Sequence, residues 1–237
     1  MLKPRARRQL GVSMVEMMVG VVVGLFVVGG AIYLFVGNLA NSRKLLVEAR
    51  LNQEVRNAAD VIARELRRAG YWDYAIAGTV TNSLGASAQP NPNRGITVTS
   101  GSDGISYEVS RDVAAARGGC GVAICENTAS ENDEKFGFRL QSGVLQMNVP
   151  ALDGAKWRDL TDPNAVTVNS FAITKSETPI DARIVCPTPC AGSSCPTVTV
   201  RRYTVQIKAT STTDSAITRS IQEQVRVRND ELAGTCT

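Results

Sequence analysis

The 237-residue chain contains no histidine. Without imidazole there is no His-based triad and no imidazole general base, and no GxSxG, P-loop or GxGxxG run supplies another recognisable catalytic site. Only 5% of the residues are aromatic and no internal repeat is visible, so nothing points to a solenoid, a collagen or wholesale disorder. The acids Asp159/Asp162 and Glu131/Asp133/Glu134 read as solvated loop charges, because the stretch around 132–135 lacks the glycine and ligand spacing of a calcium loop. The expectation is a non-enzyme with no cofactor and no metal.

Residues 1–11 (MLKPRARRQLG) lack any acid but hold Lys3, Arg5, Arg7 and Arg8. They account for the whole formal charge of +4: without them the 26 basic side chains fall to 22, equal to the 22 acidic ones. The neutral remainder gives no direct evidence for nucleic-acid binding, which needs a basic face. Pairs such as Arg43-Lys44, Arg67-Arg68 and Arg201-Arg202 read as solvated surface. Cysteine is missing from the first half. The later Cys120, Cys125, Cys186, Cys190, Cys195 and Cys236 form an even set in loop-like sequence, the pattern of disulfides in an oxidising compartment such as the bacterial periplasm. Six cysteines allow 15 pairings, and the sequence does not choose among them. The rival is a zinc site over Cys186, Cys190 and Cys195, which lacks both the usual C-x2-C spacing and an imidazole.

From Val12 to Ala40 the one carboxylate or amine side chain is Glu16. Beyond it run about 24 uncharged residues with no proline, long enough at about 1.5 Å per residue to cross a hydrocarbon core of about 30 Å. The basic residues ahead keep the N-terminus cytoplasmic and send residue 41 onward across the membrane. A cleaved secretory signal has a shorter apolar region and an A-x-A-like site, and the far end at Val36–Ser42 offers none. A plain single-span anchor explains the length but not Glu16, since a carboxylate at a membrane-helix centre costs about 2.5–3.5 kcal/mol.

Here the residues resemble a family. Gly11-Val12-Ser13-Met14-Val15-Glu16 is similar to the class III leader of type IV prepilins: a short basic leader, a glycine, four mostly apolar residues, glutamate, then a long apolar helix. In that family a membrane peptidase cuts after the glycine and N-methylates the new terminus. The resemblance implies cleavage between Gly11 and Val12 and methylation of Val12, although the family usually has phenylalanine where Val12 stands. It also implies that Glu16 pairs with the α-amino group of a neighbouring subunit's Val12 as helices assemble, because a buried charge is tolerated when it meets its opposite. Gly20-x3-Gly24 permits close helix approach, though glycine is also simply frequent in membrane helices. Gly29-Gly30 marks an expected weak point, each glycine costing about 1 kcal/mol of helix propensity.

Past the membrane the periodicity continues. Leu51, Val55, Ala58 or Ala59, Ile62, Leu66 and Ala69 make an apolar stripe. Glu48, Arg50, Asn52, Glu54, Arg56, Asp60, Arg64, Glu65, Arg67 and Arg68 make a polar face, and Gly70 suits the C′ position. This is one long helix or two broken near Gly37-Asn38. Tyr71-Trp72-Asp73-Tyr74 reads as core aromatics, and residues 78–95 as a long loop. Strands are expected at Ile96–Thr99, Ile105–Ser110, Phe136–Leu140, Val144–Val149, Val166–Ile173, Val198–Ala209 and Ile217–Arg228, the last two forming a hairpin. No comparable helix recurs between them, which argues against a parallel sheet.

The expected fold is therefore α+β: a long N-terminal helix packed on an antiparallel β-sheet head, as in type IV pilins. The expected divisions are a leader at 1–11, a membrane or filament-core helix at 12–40, an amphipathic continuation at 41–70 and a periplasmic head at 71–237. Leu66–Tyr71, Gly101–Ile105 and Val225–Asn229 extend the resemblance to PilW-type minor pilins. It implies partners: other major and minor pilins, prepilin peptidase, the inner-membrane pilus assembly platform and the membrane itself. Two other readings stand beside it, a type II secretion pseudopilin and a membrane-anchored periplasmic binding domain.

Overall fold

In the computed structural model the described residues are 11–72, 75, 91–101, 103–110, 134–149, 156–186, 189–192 and 194–234. The chain forms two compact units, Met1–Val47 and Glu48–Thr237. Helix α1 runs unbroken from Met14 to Arg68, so neither Gly29-Gly30 nor Gly37-Asn38 interrupts it. An apolar segment has no better partner for its backbone polar groups than its own helix, which outweighs the propensity cost of a few glycines.

In the second unit the stripe Leu51, Val55, Ala58, Ala59, Ile62, Leu66 and Ala69 is no more than 3% exposed. Burying each Leu, Ile or Val contributes about 1.5–3 kcal/mol. Two surface ion pairs, Arg50 with Asp162 at 2.9 Å and the part-buried Glu48 with Arg219 at 3.2 Å, fix the lie of the helix more than its stability. Glu65 departs from the expected polar face. It is 9% exposed, accepts a 3.5 Å bond from the Tyr107 hydroxyl and sits 3.4 Å from Arg68. Its position three residues after Ile62 and four before Ala69 puts it on the flank of the stripe. Burial first, then Glu65, raises the Tyr107 pKa far above that of an ordinary phenol.

The strands divide into two antiparallel sheets. The first is a meander of β1 (Ile96–Val98), β2 (Gly104–Glu108), β3 (Lys135–Gln141), β4 (Val144–Val149) and β5 (Lys156–Asp159). The second contains β6 (Val166–Asp181), β7 (Thr197–Ser211) and β8 (Thr218–Arg226), with β9 (Glu231–Ala233) also pairing β7. Alternation explains the inner faces: Ile105 and Tyr107, Phe136 and Phe138, and Tyr203, Val205, Ile207 and Ala209 are all buried. Ser142 (φ 51°) and Gly143 (φ 78°) make the tight β3–β4 hairpin turn. The Gly143 carbonyl accepts from the Val168 amide, joining this turn to the second sheet.

Strand β6 runs eight residues past its expected end at Ile173. The added residues are all exposed and, apart from Pro179 and Ile180, polar, so they carry no alternating hydrophobic signal; pairing with β7 holds them extended. Pro179 is tolerated there because β6 is an edge strand. Charged β5 and short β9 were not legible for similar reasons. Gly70, at φ +71°, ends the helix as expected. Gly70→Ala is expected to destabilise the head by about 1–2 kcal/mol in denaturant unfolding, the cost of a left-handed residue with a Cβ. The new methyl would also lie 3.1 Å from Arg201 Nη2.

Candidate functional site

Gly11, Val12 and Ser13 precede the helix in non-helical backbone and are exposed. The Ser13 carbonyl accepts from the Met17 amide at 3.1 Å, which starts the helical hydrogen bonding. Glu16 lies in the first turn, where the helix dipole favours a negative charge. It is exposed and makes no ion pair among the described residues. Steps of four place Glu16, Gly20 and Gly24 along one face of the helix. A Cβ at either glycine would meet nothing within 4 Å, so packing inside the chain does not require them. Elsewhere on the helix Val22, Leu25, Phe26 and Gly29 bound a shallow apolar hollow. The large apolar side chains from Val12 to Leu39 stand at least 43% exposed. Mean hydropathy reaches 2.6 over an 18-residue window, enough by length and composition for a membrane anchor.

In the head, the end of α1 is held by residues distant in sequence. Asn229 donates from Nδ2 to the Ala69 carbonyl at 3.1 Å, Asn91 donates to the Gly70 carbonyl at 2.8 Å, and the Arg228 amide donates to the Arg67 carbonyl at 3.0 Å. These satisfy carbonyls that a helix end leaves without internal partners. Arg201 locks the arrangement: it donates to the Arg94 carbonyl at 2.7 Å and the Asn229 carbonyl at 2.9 Å, with Glu231 3.8 Å away. At 3% exposed it is not the surface residue expected from the Arg201-Arg202 pair. The overlooked signal was parity, since Arg201 is in phase with buried Tyr203, Val205 and Ile207 on β7. Burial pushes the Tyr203 hydroxyl up to about 12, with Arg201 pulling the other way. Two segments that carried the PilW resemblance, Leu66–Tyr71 and Val225–Asn229, thus meet at this clamp.

Cys190 and Cys195 are joined by a disulfide, with Cα atoms 5.8 Å apart. Sulfurs tied in such a bridge are not thiolate ligands. Cys186 is disulfide-bonded as well. Cys120, Cys125 and Cys236 lie outside the described residues, as do Asp73, Tyr74, Glu131 and Asp133. Glu134, expected as a solvated loop charge, is instead fully buried where the chain enters β3. Asp162 is tied to Arg50 and to the Asn164 amide. Trp72 is buried, whereas Tyr71 remains 44% exposed.

Glu108 is half-buried, and burial raises its pKa against the opposing pull of Lys135. A carboxyl raised in the folded state favours its protonated form, so that contribution is full below the ordinary value of 4.5 and is lost as pH rises through the folded value. Glu108→Gln is expected to raise Tm slightly at pH 7 and not at acid pH, a difference that thermal melts across pH will read.

A family model described as prepilin peptidase-dependent protein B matches residues 44–227. No curated protein and no solved structure matches the chain. The matched region begins beyond the glycine, glutamate and apolar run. A function in a pilus or pseudopilus is what the match supports, and the chain belongs to the prepilin peptidase-dependent protein B family.

Proposed function

We propose that this chain is a PilW-type minor pilin: a structural, non-catalytic subunit that takes part in type IV pilus assembly. Prepilin peptidase cuts it between Gly11 and Val12 and methylates Val12. The N-terminal helix then holds it in the inner membrane, with the head in the periplasm, until the assembly platform moves it into a filament of major and minor pilins. The observation that carries this reading is Glu16, the one acid in the exposed apolar stretch 12–39, on the face that also presents Gly20 and Gly24. Those glycines let a neighbouring helix approach closely. The glutamate then gives the neighbour's terminal amine a buried partner and so sets the axial register. The exposed non-helical backbone at Gly11 offers a protease a site with no Cβ in the way.

Deletion of the gene in its host, followed by shearing and counting of surface filaments, tests this reading. The expected result is loss of pili, restored by the wild-type gene, with the chain itself recovered in sheared filaments. Normal piliation with failed protein secretion would make it a pseudopilin. Normal piliation and normal secretion would leave a membrane-anchored binding domain.

A further inference from the structure

The outer face of the first sheet carries a groove that the assembly role does not use. Strand register places Thr97, Ser106, Gly137, Asn148 and Trp157 in one row across all five strands. The centre of the row is small, and that leaves a cleft of about 170 Å³. At its floor Gly137 has no room for a side chain: a Cβ there would fall 2.7 Å from the Ile105 carbonyl oxygen on β2. Trp157 forms one wall, with the Arg139 guanidinium over its ring at 4.1 Å from the centroid. Arg139 is itself held by a 3.0 Å bond to Gln146. Glu108 and Lys135, partners across β2 and β3, line the other side.

Asn148 is the most informative residue. It is only 6% exposed although its strand position points outward. Its amide nitrogen donates to the Lys135 carbonyl at 2.8 Å, which fixes which end is oxygen. The Oδ1 is buried without a donor among the described residues, and buried acceptors ordinarily have one.

We infer that this groove binds one ring of a neutral saccharide. The wall offers an aromatic surface to the apolar C–H face of a sugar, and the floor offers an acceptor for a hydroxyl. Ser106, Thr97 and Glu108 supply further hydroxyl partners; among the lining residues Glu108 and Lys135 offset each other in charge, and Arg139, engaged by Trp157 and Gln146, stands outside the lining. The cleft volume suits a single pyranose and is below that of drug-sized ligand sites. This inference does not depend on the minor-pilin reading.

The test uses the full chain in a zwitterionic detergent without a sugar headgroup, titrated with methyl glycosides of glucose, galactose and N-acetylglucosamine. Saturation-transfer NMR and tryptophan fluorescence are the readouts. The expected result is saturable, millimolar binding of at least one probe, weakened at least about tenfold by Trp157→Ala and by Ser106→Leu, a loss the size of a removed or obstructed pocket contact. Ser106 is exposed, so Ser106→Leu should leave Tm unchanged, and its loss of binding then reports an obstructed groove and not an unfolded head. No saturable binding to any probe would overturn the inference. So would binding that Ser106→Leu leaves intact, or a groove that takes only a peptide or another pilin head.

Discussion

Replacing Glu16 by alanine is expected to lower recovery of the chain in sheared filaments by at least about tenfold, the effect of roughly 1.4 kcal/mol of lost pairing. Cleavage after Gly11 should continue, because the exposed non-helical backbone there is untouched. Alanine removes a carboxylate that is costly near hydrocarbon, so the variant should sit in the membrane at least as readily as the native chain. The loss falls on assembly alone, where a neighbouring terminal amine is left buried without its partner. Glu16→Gln, which keeps the shape and a hydrogen-bond acceptor but not the charge, should recover only part of the deficit. Immunoblots of membrane and sheared fractions separate the two steps. Wild-type incorporation of the alanine variant would remove the register role from Glu16.

The second large effect is expected at Arg201. Arg201→Met keeps volume but strips the carbonyls of Arg94 and Asn229 of their donor. It also removes one of the two positive charges beside Glu231, leaving Arg94 at 3.7 Å. Two charge-assisted hydrogen bonds lost at about 1.5–3 kcal/mol each give an expected cost of about 3–6 kcal/mol. Arg201→Lys should be only partly better, because one ammonium cannot reproduce the guanidinium fork that reaches two carbonyls. Denaturant unfolding of the full chain, followed by near-ultraviolet circular dichroism, measures both. A loss below about 1 kcal/mol for Arg201→Met would mean that the clamp is incidental, since exposed ion pairs already reach that value.

These two residues show what sequence makes legible. Glu16 stood out because a lone acid in an apolar run has no ordinary explanation, and the glycine five residues before it gave the context. The stripe from Leu51 to Ala69 was legible for a related reason, since a helix buries at steps of three and four whatever covers it. Arg201 and Glu65 were hidden because charge argued for solvent while position argued for core, and only the parity of β7 and the flank of the stripe carried the second message. The end of β6 was hidden differently: residues exposed on both faces have no periodic signal, and their conformation is imposed by β7. The division into two sheets depends on long-range pairing that no local pattern encodes. The groove beside Trp157 assembles five residues from five strands, so register alone creates it.

The most direct test of the central claim is the intact mass and N-terminal sequence of the protein from membranes, with and without prepilin peptidase. The account predicts a chain beginning at methylated Val12 when the peptidase is present and at Met1 when it is absent. A chain beginning at Met1 in both strains, or one beginning near Asn41, would contradict it.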